Sequence, residues 1–469
     1  VKPRAKNPKG IGIDELFLVP PDRVRHWPKG AHQTRPWLVF FGGIDRILRS
    51  VEPYMPMALR ARAINRADRF VTERLNGEDG LGAIFPAMVN ALLMFEALGC
   101  GEDDPRVRTA RASIERLLVI KEDEAYCQPC VSPVWDTALT AHTLLEVGEA
   151  ECEKRARASL EWLRPLQVLD TVGDWAARRP HVRPGGWAFQ YANPHYPDLD
   201  DTAVVVMAMD RASARIPEAE RLKFTEAIGR AQDWIAGMQS TNGGFAAFDA
   251  DNDYAYLNQI PFADHGALLD PPTADVTARC VSMLAQLGAR ADEDPPLDRA
   301  VAYLLREQEA DGSWYGRWGI NYIYGTWSAL CALNAAQSEP VSGAVRKAVE
   351  WLTSIQNEDG GWGEDGESYR LGYVGYEAAP STASQTAWAL LGLMAAGEAD
   401  HPAVERGIDY LLQHQEPDGF WSEQRFTATG FPRVFYLRYH GYAKFFPLWA
   451  LARYRNLKAS NTTSVLAGM

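Results

Sequence analysis

The sequence predicts an all-α protein: an α6/α6 toroid, a double barrel of inner and outer helices, preceded by a differently organised N-terminal stretch. Three observations predict it. A motif of Gln, three residues, Gly, one residue and an aromatic recurs as QSTNGGF from Gln239, QEADGSW from Gln308, QNEDGGW from Gln356 and QEPDGFW from Gln415, with degraded copies from Asn76 and His181. Between the copies the apolar spacing has the helical period, as in Val301, Leu304 and Leu305 or Ala387, Leu390, Leu391 and Met394, while alternating β-branched runs are scarce. The interval from Pro105 to Arg455 accommodates an even count of about twelve helices, which suits alternate inner and outer helices closing into a ring whose inner rim encloses a cavity.

Taken in order, residues 1–125 read as the differently organised stretch, 126–456 as the toroid and 457–469 as a mobile tail. The first ten residues hold no apolar run of the kind a secretory leader needs. An apolar aromatic segment follows at Trp37 to Ile47, then helices near Ala61 to Leu75 and from Pro86 to Leu98, too few to close a toroid. Each repeat motif directly follows a helix, and its Asp-Gly or Gly-Gly supplies the left-handed residue that ends it. The Gln amide is expected to meet unsatisfied backbone groups at neighbouring helix ends, with the aromatic ring covering it.

Composition excludes several classes of function. Net charge is −13 from 48 basic and 61 acidic residues, with no basic tract, so a nucleic-acid partner is not expected. The longest apolar run, Trp37 to Ile44, is too short to cross a bilayer. The six cysteines read as reduced thiols in a cytosolic setting, and Cys127 and Cys130 form a lone CxxC pair. Asp249, Asp251 and Asp253 break the calcium-loop pattern, since Tyr254 stands at the required glycine and Ile260 at the twelfth position. No metal and no cofactor are expected. The 15 Trp, 18 Tyr and 17 Phe point to a stacking scaffold or an aromatic-lined cavity.

The run Pro197-Asp-Leu-Asp-Asp-Thr-Ala203 stands just before the apolar segment Val204 to Met209. One Asp is enough to cap a helix. Three within four residues repel one another, which spreads their titrations and leaves a proton on the run at neutral pH. A protonated carboxyl is a general acid, and the helix N-terminus stabilises the carboxylate left behind. Aromatics flank it: Phe189, Tyr191 and Tyr196 before the run, Trp318, Tyr322 and Tyr324 after the second clear repeat, and GFPRVFYLRYHGYAKFFP from Gly430, with an aromatic at nearly every helical turn. Such faces are ordinarily core, yet rings around an apolar cavity also stabilise a carbocation. An acid beside a water-poor aromatic cavity is what protonation of an alkene requires.

Together these residues resemble the squalene–hopene cyclases, the bacterial class II triterpene cyclases, over about Ile11 to Tyr454. The resemblance rests on the DxDDTA run, the repeated QxxxGxW motif and the closing GFP, FYL and tyrosine segment. It implies an isomerase or intramolecular lyase that protonates a terminal alkene of squalene or a related polyprene, with Asp200 as the acid, Asp198 and Asp201 tuning it, and Asp275 as a second acidic position. It places Trp135, Phe189, Trp318, Phe431, Phe435, Tyr439 and Tyr442 on cavity aromatics and Tyr324 near the acid. Hopene and hopanol are the implied products, and two α-toroids the implied fold, with residues 1–125 as an incomplete second α-toroid domain and 126–456 as the catalytic toroid. The implied location is the cytoplasmic face of the bacterial inner membrane, on which the protein lies as a monotopic protein; a homodimer is the assembly considered. Trp37 to Ile44, with Ile47, Leu48 and Tyr54 to Met57, is the candidate lipid contact; its other reading is a buried core helix.

Three positions depart from the family pattern. Arg279 stands where the best-known pattern has His, so a fixed cation replaces a titratable one. Phe248 replaces a Tyr, losing a hydroxyl and keeping the ring, and Phe85 replaces a Gln of the network that ends the reaction. Family members also carry more chain on the N-terminal side. The alternatives are a glycoside hydrolase-like toroid, which needs more polar side chains among its rings than Phe431 to Phe446 offers, a zinc prenyltransferase-like toroid, for which Cys280 lacks a nearby His, and a non-catalytic scaffold.

Overall fold

The computed structural model describes residues 10, 12, 14–20, 23, 29–30, 32–214, 216–260, 268–337, 342–370, 375–465 and 467–469. The opening nine residues, where no leader was read, lie outside them. The chain divides into two compact units, one of Val1–Val131 with Tyr254–Leu269 and one of Ser132–Asp253 with Asp270–Met469.

The first unit holds α1 (Arg35–Val51), α2 (Met57–Arg74), α3 (Phe85–Leu98) and α4 (Pro105–Arg116), with the short hairpins β1 (Leu75–Asn76) with β2 (Gly80–Leu81) and β3 (Leu118–Ile120) with β4 (Ala125–Cys127). Its small core gathers Ala91, Phe95 and Val107 under Val71, Leu75 and Leu81. Asp104 caps α4 by accepting from the Arg106 amide, and Gly99, in the left-handed region, ends α3. By contrast α1 and α2 bury no residue fully, and in the Trp37 segment Trp37, Leu38 and Phe41 to Ile44 are half-buried. Val39, Ile47 and Met57 are 75%, 64% and 80% exposed. No described helix is long and apolar enough to cross a membrane.

A boundary at residue 125 overlooks the return of Tyr254–Leu269 to this unit. Gln259 makes the join: its Nε2 donates to the His32 carbonyl at 2.9 Å, and its Oε1 accepts from the Thr34 amide at 2.7 Å. Tyr256 stacks on Trp37 with ring centres 6.3 Å apart. No periodicity in sequence announces such a pairing of two loops.

The second unit is an α/α toroid. Its inner helices α5 (Pro133–Val147), α7 (Leu199–Ser213), α9 (Ala274–Gln286), α11 (Tyr322–Ala336), α13 (Ala383–Ala395) and α15 (Tyr442–Ser460) pack each against the next, and α15 packs back against α5 to close the ring. The outer helices α6 (Ala150–Leu163), α8 (Glu218–Gly237), α10 (Pro295–Arg306), α12 (Ser342–Ser354) and α14 (Pro402–Gln413) alternate with them along the chain. The described residues thus give this unit six inner and five outer helices, because α4, counted with them from sequence, belongs to the first unit. The inner helices are apolar nearly all round, as helices walled on both sides must be: every residue of α13 is buried.

The repeats join successive helix pairs. Nε2 of Gln239, Gln308 and Gln356 donates to a glycine carbonyl of its own loop and to a carbonyl in the first turn of the next outer helix, as Gln356 does to Gly360 and Ala403 at 2.7 and 2.9 Å. The motif tryptophans meet the preceding helix end: Nε1 of Trp314, Trp362 and Trp421 donates to the Leu304, Leu352 and Leu411 carbonyls at 2.7, 2.8 and 2.7 Å. Orphan carbonyls of a last turn are therefore met by the ring and not by the Gln amide. In the copy read from His181 the amide comes from Gln167, which donates to Gly185 and Ala227. The fixed spacing hid it.

Two further expectations change. The aromatic period after Gly430 is not one helix: Ala428–Phe431 (β7) and Phe435–Leu437 (β8) form a hairpin before α15 begins. Pro432 and the left-handed Arg433, at φ 72°, make the turn, and a Cβ on Gly430 would lie 2.1 Å from the Phe435 ring. The residues read as a mobile tail are also held. α15 runs to Ser460, Val465 and Met469 are buried, the Asn334 amide donates to the Val465 carbonyl and Arg453 to that of Met469. Arg453 and Arg211 share the Glu146 carboxylate at 3.0 and 2.7 Å there.

Candidate active site

The N-terminal turns of the inner helices carry the chemistry. Asp198 is the N-cap of α7: its Oδ1 accepts from the amides of Asp200 at 2.7 Å and Asp201 at 3.3 Å, so the bland cap reading holds for this one of the three. The cap leaves Asp200 and Asp201 inside the first turn, and each keeps a buried Oδ1 with no hydrogen-bond partner among the described residues. Burial, reinforced by Asp200, pushes Asp198 far above the usual carboxylate range, and burial with Asp198 does the same to Asp201.

Asp200 differs through its neighbour. Burial pushes it up to about 7, Arg279 pulls it down and Asp275 pushes it up. Arg279, one α9 turn beyond Asp275, is fully buried, and its Nε lies 3.4 Å from Asp200 Oδ1, an ion pair just too long to be well hydrogen-bonded. Trp327 lies 4.2 Å and Tyr324 5.4 Å from its Cζ, so two π-faces hold the guanidinium in place. The Asp200 side chain keeps 9% of its surface where Arg279 keeps none, so the acid is reachable and its cation is not. Of the three carboxyls, the one facing a cation is the strongest acid, and a group near 7 suits proton donation at neutral pH.

Asp275 works as an acceptor. Its Oδ1 takes the Thr273 hydroxyl at 2.6 Å and the Val276 amide at 3.1 Å, and its Oδ2 takes the amides of Arg317 and Trp318 at 2.8 and 2.9 Å. Its two oxygens thereby hold the loop that carries Trp318. Arg317 lies along the Trp318 ring at 4.2 Å and donates to Thr429 and Gly430, tying that loop to β7.

The rings fall into groups. Phe189 meets Tyr439 edge-on at 6.2 Å, and Tyr439 stacks on Tyr442 at 4.5 Å. Trp135 Nε1 donates to the Tyr442 hydroxyl at 2.8 Å. Phe248 meets Trp318 edge-on at 6.2 Å, and Phe431 meets Phe435 at 5.3 Å. Phe189, Phe248, Trp318, Phe431, Phe435 and Tyr439 are half-buried, whereas Trp135, Tyr324 and Tyr442 are buried behind them. Phe85 belongs to the first unit, where its amide opens α3 by donating to the Pro129 carbonyl.

Sequence reasoning missed several groups. Asp136, in the first turn of α5, accepts from Ser132 at 2.6 Å and is pushed up to about 6 by burial; it adds a fourth carboxyl whose charge bears on Asp201. Its place directly after Trp135 in a Pro-led helix start was a usable signal. Glu364, pushed up to about 7 by burial, accepts from the amides of Asn321, Tyr322 and Ile323 and caps α11, the helix that carries Tyr324. Trp388 and Phe446, which pack on Tyr324 and Tyr442, carry no signal beyond their period. The described residues hold no cluster of His, Cys, Asp and Glu suited to a metal ion.

Comparison with known proteins follows this arrangement. The squalene-hopene cyclase C-terminal domain family matches residues 131–456 and the squalene-hopene cyclase N-terminal domain family residues 1–123. A probable squalene–hopene cyclase of Sinorhizobium fredii is 63% identical over 98% of this chain and 71% of its own length. The squalene–hopene cyclases of Bradyrhizobium diazoefficiens and Zymomonas mobilis are 62% and 59% identical over 100% of this chain and 71% of theirs. Similarity so high across both units leaves one assignment: the chain belongs to the squalene–hopene cyclase family of class II terpene cyclases.

Proposed function

We propose that this chain takes squalene, protonates its terminal alkene from Asp200 and cyclises it through carbocations to hopene and hopanol. The observation that carries the reading is the Asp200 carboxyl, held up to about 7 by burial and reachable beside a fully buried Arg279. Proton transfer leaves a tertiary cation on the substrate and a carboxylate on Asp200, and the guanidinium favours that carboxylate. Asp198 and Asp201, held neutral by burial, keep the local charge low, and Asp275 sets the backbone behind Trp318. Phe189, Trp318 and Phe435 then supply successive π-faces, each worth up to ~2 kcal/mol to a desolvated cation. Loss of a proton ends the reaction as hopene and capture of water as hopanol. Trp135, Phe248, Tyr324, Phe431, Tyr439 and Tyr442 shape the cavity in this reading.

Squalene reaches such a site from a bilayer, so the protein lies on the cytoplasmic face of the inner membrane as a monotopic protein, as a monomer or homodimer, through the exposed apolar face of α1 and the Tyr54–Met57 segment. The test is gas chromatography of products from squalene with the unsubstituted chain and with Asp200→Asn. Cyclised product from the first and none from the second is expected; product surviving in Asp200→Asn at more than a few per cent would assign the acid elsewhere.

A further inference from the structure

One carboxylate near the site is used by none of these steps. Asp270 stands where the chain re-enters the second unit, before Pro271 and Pro272. Its Oδ2 accepts from the amides of Phe248 and Asp249 at 2.7 and 2.8 Å, and its Oδ1 from that of Ala247 at 3.3 Å. Residues 247–249 lie in neither helix nor strand, so no ladder satisfies those three successive N–H groups, and a single acceptor must. Only a carboxylate does so without presenting a donor of its own: an amide side chain would turn its NH₂ toward the row.

The turn so gathered touches the site on two sides. The Ala247 carbonyl accepts from the amide of Leu199, the residue between Asp198 and Asp200, at 2.8 Å; it thereby meets an orphan donor at the start of α7. The Phe248 ring meets Trp318 edge-on at 6.2 Å, and the Trp318 amide is held by Asp275. Two carboxylates, at 270 and 275, therefore hold from behind the two backbones whose rings face each other. Phe248 has no hydroxyl with which to fix its own place, so its position depends on the backbone alone.

We propose that Asp270 is a positioning residue: its carboxylate clamps the 247–249 turn and so sets both the Phe248 ring against Trp318 and the register of the acidic run, and through them the spectrum of products. The claim about products rests on the function proposed above; the claim about the clamp does not.

Two readouts on the whole chain test it, with Asp270→Asn and Phe248→Ala beside the unsubstituted protein. Hydrogen exchange followed by mass spectrometry on peptides spanning 245–252 reads the clamp. In Asp270→Asn those amides should exchange about tenfold faster or more, and in Phe248→Ala the amides of 247 and 249 should stay protected. Gas chromatography of products from squalene reads the consequence. Both variants should raise the share of products with fewer rings several-fold while substrate consumption falls by less than about tenfold, unlike Asp200→Asn. Unchanged exchange in Asp270→Asn overturns the clamp. Faster exchange with an unchanged product ratio, or a lower rate alone, overturns the link to specificity and leaves Asp270 an ordinary structural group. If Asp270→Asn does not fold, Asp270→Glu replaces it: it keeps the charge, and it should show intermediate exchange and an intermediate product shift, and an unshifted spectrum overturns the proposal. If the unsubstituted chain forms no cyclised product from squalene, the function proposed above fails, and exchange alone decides the clamp.

Discussion

The Arg279 guanidinium lies 3.4 Å from the Asp200 carboxyl, wholly buried and seated between Trp327 and Tyr324, so this carboxyl of the acidic run faces a cation that never titrates. The pair is unusual in what it leaves unmet: Oδ1 of Asp200 and all three guanidinium nitrogens lack hydrogen-bond partners among the described residues. A carboxyl whose ionised form is fully hydrogen-bonded would already have lost its proton at neutral pH and would have none to donate. Here the cation assists the ionised form by charge alone, and the proton stays available.

The first prediction follows from the sign of that charge. Activity should be level below neutrality and decline as pH rises through about 7, where Asp200 loses its proton before substrate arrives. Arg279→Gln removes the influence that lowers Asp200, so the decline should move to higher pH while the maximal rate falls by about tenfold or more, since the proton is held more tightly and the carboxylate left behind is unpaired. The pH profile of kcat/KM for both proteins measures this. A decline that stays at the same pH in Arg279→Gln would separate the cation from the acid.

A second prediction concerns stability. Burial holds Asp200 and Glu364 at about 7 and Asp136 and Asp270 at about 6 in the folded chain, against about 4 for ordinary unfolded carboxyls. Between those values the folded state binds more protons than the unfolded one, so these groups' stabilisation is complete below about pH 4 and is lost as pH rises through 6 to 7. Glu146 opposes them: Arg453 and Arg211 outweigh its burial and hold it low, so its share is lost toward acid. The melting temperature should therefore peak on the mildly acidic side of neutrality and fall between pH 5 and 8. Thermal melts across that range decide it, and a flat or rising curve would contradict it.

How far the sequence carried the architecture depended on periodicity. The repeat copies and the helical period foretold alternating inner and outer helices because they are local patterns, whereas Asp200 is raised by burial, and the crowding of the run acts, after burial, on Asp198 and Asp201. What escaped was long-range pairing. Gln167 performs the amide role of a repeat from outside its motif, Glu364 caps a helix more than forty residues away, and Asp270 gathers amides twenty-odd residues upstream. A carboxylate that holds another segment's backbone has no period and no neighbouring partner in sequence, so only the folded chain shows it. The hairpin of Phe431 and Phe435 escaped for a different reason: closely spaced aromatics fit a helix and a strand equally well, and the turn residues Gly430 and Pro432 were outweighed.

The third prediction separates the two halves of the repeat. Trp362 Nε1 donates to the Leu352 carbonyl at the end of α12, and Gln356 bridges Gly360 and Ala403. Trp362→Phe leaves a buried carbonyl unmet and a gap beside it, which should cost about 2 to 4 kcal/mol. Among the described residues Gln415 bonds only within its own exposed loop, so Gln415→Ala should cost about 1 kcal/mol or less, and Gln356→Ala about 1 to 2. Denaturant midpoints at constant m-value rank the three. Equal losses would show that the repeats act by sequence-local turns and not by joining helix pairs.

The last prediction concerns the surface that α1 presents. An amphipathic helix of 17 residues with none buried, flanked by exposed Tyr54 and Met57, leaves apolar area in water unless something covers it. The function proposed above calls for a bilayer as that cover, and the aromatic cluster of Trp37, Phe40, Phe41 and Tyr256 is of the kind that settles at the interface between headgroups and acyl chains. The net charge of −13 opposes anionic lipid over the chain as a whole, so attachment rests on apolar burial and should survive high salt, which screens charge and leaves the hydrophobic effect intact. In sedimentation with liposomes the chain should pellet at both low and high ionic strength. Val39→Asp with Ile47→Asp puts two charges where apolar side chains would be buried, and should reduce the bound fraction at least about tenfold, since each buried side chain contributes roughly 1.5 to 3 kcal/mol. Release by salt alone, or binding unaffected by the double substitution, would place the contact elsewhere.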